Sequence, residues 1–132
     1  MARPPTLERQ VLDVLWDSDR PLVIREILEA LVVRGHPVLA YTTVQTVANR
    51  LVAKGLLDRD DGPSPHRYRP TRSREEHTAQ LIKDLLDVSP DRASVLLRLA
   101  EQVDADDADR LREALGRRSR SAGGSAGGHG SA

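Results

Sequence analysis

The stretch AYTTVQTVANRLVAKGLL, Ala40 to Leu57, contains no acidic residue, in a chain where acids and bases are equally numerous at 20 each. On a helical wheel at about 100° per residue, Val44, Val47, Ala48 and Leu51 fall together as a core-facing stripe. Thr42, Gln45, Thr46, Asn49 and Ala53 fall opposite, with Thr43, Arg50 and Lys54 along one edge. An ordinary surface helix fills its outer face with Glu and Lys, which are better helix formers than Thr and Asn. Here that face is short-chained, rich in donors and acceptors, and free of the carboxylates that phosphates would repel. Such chemistry suits the major groove, where base edges present patterned donors, acceptors and thymine methyls. The competing reading is a solvated helix that happens to lack Glu. The neighbouring elements have to separate the two.

Upstream, Thr6 is placed to cap a first helix carrying Leu7, Val11, Val14 and Leu15 on one face and a core Trp16 at its end, before DSDRP breaks it. Ile24, Ile27, Leu28, Leu31 and Val32 give a second amphipathic helix ending at Gly35. Val23 stands where a Ser, Thr or Asp cap is expected, which leaves that helix under-capped by ~1 kcal/mol. GHPVLA connects it to the third helix, which Gly55 closes. Beyond Gly55 the period changes. LLDRD and HRYRPT read as two short strands around the turn DGPSP, with Tyr68 pointing one way and Arg67 and Arg69 the other. Three helices followed by a basic-edged hairpin predict a winged helix-turn-helix domain over residues 1–72. The alternative is a β-ribbon on an unrelated α/β domain.

Ser73 and Glu76 form a capping box for a fourth helix with Leu81, Ile82, Leu85 and Leu86. Ser89 and Pro90 read as the cap and first turn of a fifth, with Leu96, Leu99, Ala100 and Val103. Asp104 caps a sixth, whose Asp106, Asp107, Arg117 and Arg118 match the helix dipole. Three helices within residues 73–118 enclose little core by themselves. Their apolar faces need a partner, and a second copy of the chain supplies one by two-fold symmetry. The expected dimer interface is Leu81, Leu85, Leu96, Leu99, Val103, Leu111 and Leu115. Folding back on the N-terminal domain is the alternative. Residues 119–132, ending in SAGGSAGGHGSA, are expected to form a flexible tail. The whole is mostly α with one small β-hairpin.

Composition removes several function classes. Without cysteine there are no disulfides or thiolate metal sites. No run reaches the ~18 apolar residues of a membrane span, and MARPPTLERQ has no apolar signal core, so a cytoplasmic protein is expected. His36, His66, His77 and His129 lack ligand spacing, and neither metal nor cofactor is expected; His66 reads as a phosphate contact on the wing. No glycine-rich phosphate loop or nucleophile elbow occurs. Ser73, Glu75, Glu76 and His77 are explained by capping, with Arg74, Glu75 and Glu76 as a solvated face, so no catalytic residue is expected. Three aromatics, Trp16, Tyr41 and Tyr68, are too few to stack splayed RNA bases. Zero net charge gives no global field toward nucleic acid, but residues 35–72 hold six Arg or Lys against Asp58, Asp60 and Asp61.

The run LERQVLDVLW, PLVIREILEAL, AYTTVQTVANRLVAKGLLDRD and HRYRPT, continued to LREAL, resembles the penicillinase-repressor and methicillin-resistance-repressor family over about residues 6–118. That resemblance implies a winged-helix domain, a helical dimerisation domain, and repression through a palindromic operator. It sets the base-facing positions on Thr42, Thr43, Gln45 and Thr46; Asn49 joins them from the wheel, and Arg50, Lys54, His66, Arg67 and Arg69 are the expected phosphate contacts. Thr42 and Gln45 stand where the methicillin-resistance repressor carries basic residues. Antibiotic-responsive members of the family are cleaved at an Asn-Phe bond in the fifth helix under a membrane sensor-protease system; the aligned bond here is Arg98–Leu99. The copper-responsive route through C-terminal cysteines is closed to a chain that has none. The reading is a dimeric repressor relieved by loss of the dimer, with a regulatory protease as a further partner. The alternative is a winged-helix module whose third helix meets an acidic protein.

Overall fold

A computed structural model describes residues 6–36 and 38–127, with side chains described through Ala122. Thr6 accepts the Arg9 N–H at 3.2 Å and opens α1 (Leu7–Trp16), as its hydroxyl and position predict. β1 (Leu22–Val23) leads directly into α2 (Ile24–Val33). Val23 is indeed the N-cap and offers no acceptor, but Glu26 supplies half a capping box by taking the Val23 N–H at 3.1 Å. α2 and α3 (Tyr41–Ala53) both end in Schellman motifs: Gly35 bonds to Val32 O and His36 to Leu31 O, while Gly55 bonds to Val52 O and Leu56 to Leu51 O. The glycines hold φ of 105° and 77°, where a side chain strains the backbone.

β2 (Leu57–Arg59) and β3 (Arg67–Pro70) form the wing, with Leu57 opposite Pro70 and Arg59 opposite Tyr68. The sheet has a third strand that the sequence pattern did not reveal. β1 pairs antiparallel with β3, Leu22 opposite Tyr68, giving the order β1-β3-β2. Two residues are too few to show alternation. The core is one cluster: Val11, Leu12, Val14 and Leu15 from α1, Ile24, Ile27 and Leu31 from α2, Val44, Val47, Ala48 and Leu51 from α3, and Leu22, Leu57 and Tyr68 from the sheet. Trp16, expected in the core, lies at its margin instead. Its Nε1–H is donated to Arg72 O at 2.9 Å, and its ring is flanked by the guanidinium groups of Arg9 and Arg74 and by His77.

Ser73 and Glu76 close the expected capping box on α4 (Arg74–Asp87), each taking the other's backbone N–H, at 3.0 and 3.2 Å. Arg74 is not part of a solvated face: it pairs with Asp17 at 3.0 Å and Asp13 at 3.5 Å while covering Trp16. The chain divides into two compact units inside α4, after Leu81, whereas the sequence pattern put the division between residues 72 and 73. The first turns of α4 thus belong to the winged-helix unit.

In the second unit, α5 (Arg92–Gln102) is capped by Asp91, not Ser89 as expected. Asp91 accepts from the Ser94 N–H at 3.1 Å, while the Ser89 hydroxyl turns back to Leu85 O and finishes α4. Asp104 caps α6 (Ala105–Gly127) through the Asp107 N–H at 2.8 Å. α6 continues through residues 119–127, which the sequence pattern assigned to a flexible tail. No proline stops it, and Ala122 and Ala126 are strong helix formers that partly offset the glycines. Residues 128–132 of that expected tail, His129 among them, lie outside the described residues.

Candidate nucleic-acid interface

The buried stripe Val44, Val47, Ala48 and Leu51 seats α3 on the core and fixes what faces outward. Thr42, Thr43, Gln45 and Thr46 are all exposed, as expected. A shallow groove runs along this side between Thr42, Thr43, Thr46 and Arg50. The Thr46 hydroxyl donates to Thr42 O at 2.8 Å, so toward a ligand Thr46 presents its methyl group and oxygen lone pairs. Ala40 caps α3 without a side-chain acceptor, and no carboxylate stands in its first turn.

Asn49 differs from these four in burial and bonding. It is half-buried, and its Oδ1 accepts from the Tyr68 hydroxyl at 3.0 Å and from Arg59 Nη1 at 3.2 Å. The wheel places Asn49 on the outer stripe, but the wing folds over that end of α3 and takes up its amide oxygen. Tyr68 itself is 2% exposed, as its inward register predicts, and its hydroxyl is committed to α3. Arg59 was missed in the sequence because alternation places it on the inner side with Leu57; its long side chain reaches Asn49 from the strand edge.

The expected phosphate contacts are exposed or partly so, but most have a carboxylate close by. Lys54 Nζ lies 3.0 and 3.1 Å from the two oxygens of Glu8, and Arg50 Nη1 is 3.8 Å from the same carboxylate. Arg69 is 3.8 Å from Asp58. His66 Nδ1 lies 3.4 Å from Asp60 Oδ1, off the line of a hydrogen bond, while that oxygen accepts the Arg67 N–H at 3.1 Å. Arg67 and Arg69 point outward on either side of Tyr68. Glu8 was also missed, because it lies far from α3 in sequence and only the packing of α1 on α3 brings it there. Tyr41 and Arg25, beside Val23 and Pro65, line a further cleft at the start of α3. They too fell outside the sequence-based set.

The leucines expected at a dimer interface are exposed on the single chain. Leu81, Leu85, Leu96, Leu99, Leu111 and Leu115 range from 43% to 68% exposed, Val103 is half-buried, and α4 and α5 contain no buried residue. Among the described residues no group of three or more His, Asp or Glu is arranged to hold a metal ion, and no helix is long and apolar enough to cross a membrane.

Residues 5–117 match the sequence profile of the family described as Penicillinase repressor. Two proteins named Transcriptional regulator BlaI, from Mycobacterium tuberculosis strains CDC 1551 / Oshkosh and ATCC 25618 / H37Rv, are each 42% identical to the chain over 118 residues. Those alignments cover 87% of this chain and 84% of each relative. Family and relatives alike are transcriptional regulators, not enzymes.

Proposed function

We propose, from the premise that this chain belongs to the penicillinase repressor family, that it represses transcription as a two-fold dimer on an inverted-repeat operator. That it is a DNA-binding transcriptional repressor follows from the family; the dimer, the operator form and the mode of relief are the proposal. The observation that carries it is the exposed, carboxylate-free outer face of α3, with the wing beside it. Thr42, Thr43, Gln45 and Thr46 meet base edges in the major groove, and Gln45 is suited to adenine. Arg50, Lys54, His66, Arg67 and Arg69 hold phosphates and set the register without reading sequence. The exposed leucines of α4, α5 and α6 join two subunits, so the operator half-sites lie about one helical turn apart or a multiple of it.

Relief follows from losing that junction. Arg98–Leu99 lies in α5, where Arg98 is exposed and pairs with Glu101 at 3.3 Å. A protease takes a helical bond only after local unfolding. A cut there separates the leucines before and after it and removes the mutual tethering of the two DNA-binding units. The setting is the cytoplasm, and the cutting agent a regulatory protease.

The test is selection of bound fragments from the source organism's genomic DNA with the full chain, alongside light scattering at tens of micromolar. A recovered inverted repeat and a dimeric mass are expected. Recovery of no common DNA sequence would point instead to a protein-binding module for an acidic partner. A monomeric mass would overturn the assignment of the leucines. Immunoblotting of β-lactam-treated cells checks the relief step: full-length repressor throughout, with target genes switched on, would rule out cleavage.

A further inference from the structure

We propose that Glu8 is a built-in counter-anion that competes with DNA phosphate for Lys54 and Arg50, and so limits the repressor's affinity for DNA of any sequence. The inference rests on the reading that those two cations meet phosphate. Glu8 sits in the first turn of α1, where the positive end of the helix favours a carboxylate. Both of its oxygens engage Lys54 Nζ, at 3.0 and 3.1 Å, and Arg50 Nη1 lies 3.8 Å away. Its side chain is 27% exposed against 56% for Arg50 and 51% for Lys54, so the carboxylate sits inside while the cations face outward. Arg50 also lines the groove formed with Thr42, Thr43 and Thr46. A phosphate arriving at that end of α3 therefore meets two cations whose charge is already partly answered by Glu8.

Two consequences follow. Binding must loosen or share the Glu8 contacts, a surface pair whose worth corresponds to at most about a fivefold change in affinity per subunit. The negative charge left beside the phosphate also reduces the effective number of charges the protein neutralises. That number sets how steeply affinity falls with salt, at about 0.9 in logarithmic slope per phosphate for duplex DNA. The phosphate contacts of Arg50 and Lys54 carry no sequence information, so the penalty applies to operator and random DNA alike. Glu8 thus tunes how readily the repressor leaves DNA and leaves its choice of site unchanged. The wing repeats the arrangement more loosely, with Asp58 3.8 Å from Arg69.

The experiment measures binding of full-length wild type, Glu8→Gln and Glu8→Asp to a labelled duplex of random sequence and to the recovered operator across a salt series. Glu8→Gln is expected to bind both tighter, by up to about fivefold per subunit, with a salt slope steeper by up to about 0.9. Glu8→Asp keeps the charge and is expected to keep the wild-type slope. Glu8→Gln binding equal to wild type would overturn the inference alone. Weaker binding at an unchanged slope would also overturn it, and would show that Glu8 positions the cations rather than competing for them. Failure of wild type and Glu8→Gln alike to bind either duplex at low salt would overturn the DNA-binding reading itself, and the inference with it.

Discussion

Replacing Asn49 with alanine separates a residue that reads bases from one that holds the wing. The Asn49 side-chain oxygen is the acceptor for the Tyr68 hydroxyl at 3.0 Å, and Tyr68 is 2% exposed. Asn49→Ala leaves that hydroxyl without its partner, a loss that costs about 1–3 kcal/mol for a buried donor. The Asn49 end of the bond is only half-buried, so water recovers part of the loss, and about 1–2 kcal/mol is the expected cost. In a domain of this size each kcal/mol moves the melting temperature by about 4–8 °C, which gives a drop of about 4–16 °C. Melts of the full chain followed by circular dichroism, at one fixed protein concentration because association shifts the midpoint, measure it directly. Tyr68→Phe completes a cycle. Removing both partners should cost less than the sum of the single changes, because no orphaned group remains. The ratio of operator to random-DNA affinity should survive Asn49→Ala. An unchanged melting temperature together with loss of operator preference would refute this account and return Asn49 to the base-reading set.

Gln45→Ala is expected to cost ~1–3 kcal/mol on the operator and far less on random DNA; equal losses in a competition titration would remove Gln45 from base reading. His77, packed 5.2 Å from the Trp16 ring, has its pKa pushed below 6.5 by burial and then by Arg9 and Arg72, and Arg74 lies against the same Trp16 ring. The unfolded chain takes up the proton more readily than the folded one, so His77 costs no stability above about pH 6.5 and destabilises progressively as pH falls from there to its folded pKa. His77→Gln should flatten the acid side of a plot of melting temperature against pH, and an identical slope in the variant would refute the attribution. Gly55→Ala should cost about 1–2 kcal/mol in denaturant titrations, because φ is 77° and no neighbouring atom lies within 4 Å to add a clash.

The helices were legible because each carries its own signals. Thr6, Ser73, Glu76 and Asp104 sit where caps form, and Gly35 and Gly55 sit where only a left-handed residue ends the turn without strain. Strand alternation located Tyr68 for the same reason. What the sequence hid depends on elements meeting in space. β1 is too short to show a period, so its pairing with β3 is visible only in the fold. Asn49 and Glu8 each have an unambiguous local position, yet their roles are set by Tyr68 and Lys54, 19 and 46 residues away. Ser89 and Asp91 are both good caps two residues apart, and local preference does not choose between them. α6 ran past its expected end because a helix needs a definite stop, and Gly-Ala-Ser composition weakens a helix without forbidding it.

The exposed leucines also indicate why a cut in α5 would empty an operator on the reading proposed above. Leu111 and Leu115 are 52% and 61% exposed, so roughly half of each side chain remains to be covered by a partner. Full burial of a leucine is worth about 1.5–3 kcal/mol, which leaves ~1 kcal/mol for each to gain at an interface. Cleavage at Arg98–Leu99 detaches both from the DNA-binding unit, and two-fold symmetry makes that four side chains per dimer. The loss from these four alone is then about 4 kcal/mol, or nearly a thousandfold in the dimerisation constant at about 1.4 kcal/mol per factor of ten. Dimers formed through half-exposed faces must also overcome the ~4–15 kcal/mol cost of association, so little surplus remains to absorb such a loss. Each half-site would then be held by one winged helix, whose Lys54 and Arg69 already pair with Glu8 and Asp58. Weak single-site binding and a dimer of modest stability are what a repressor needs if a break in α5 is to release DNA while α3 keeps its fold.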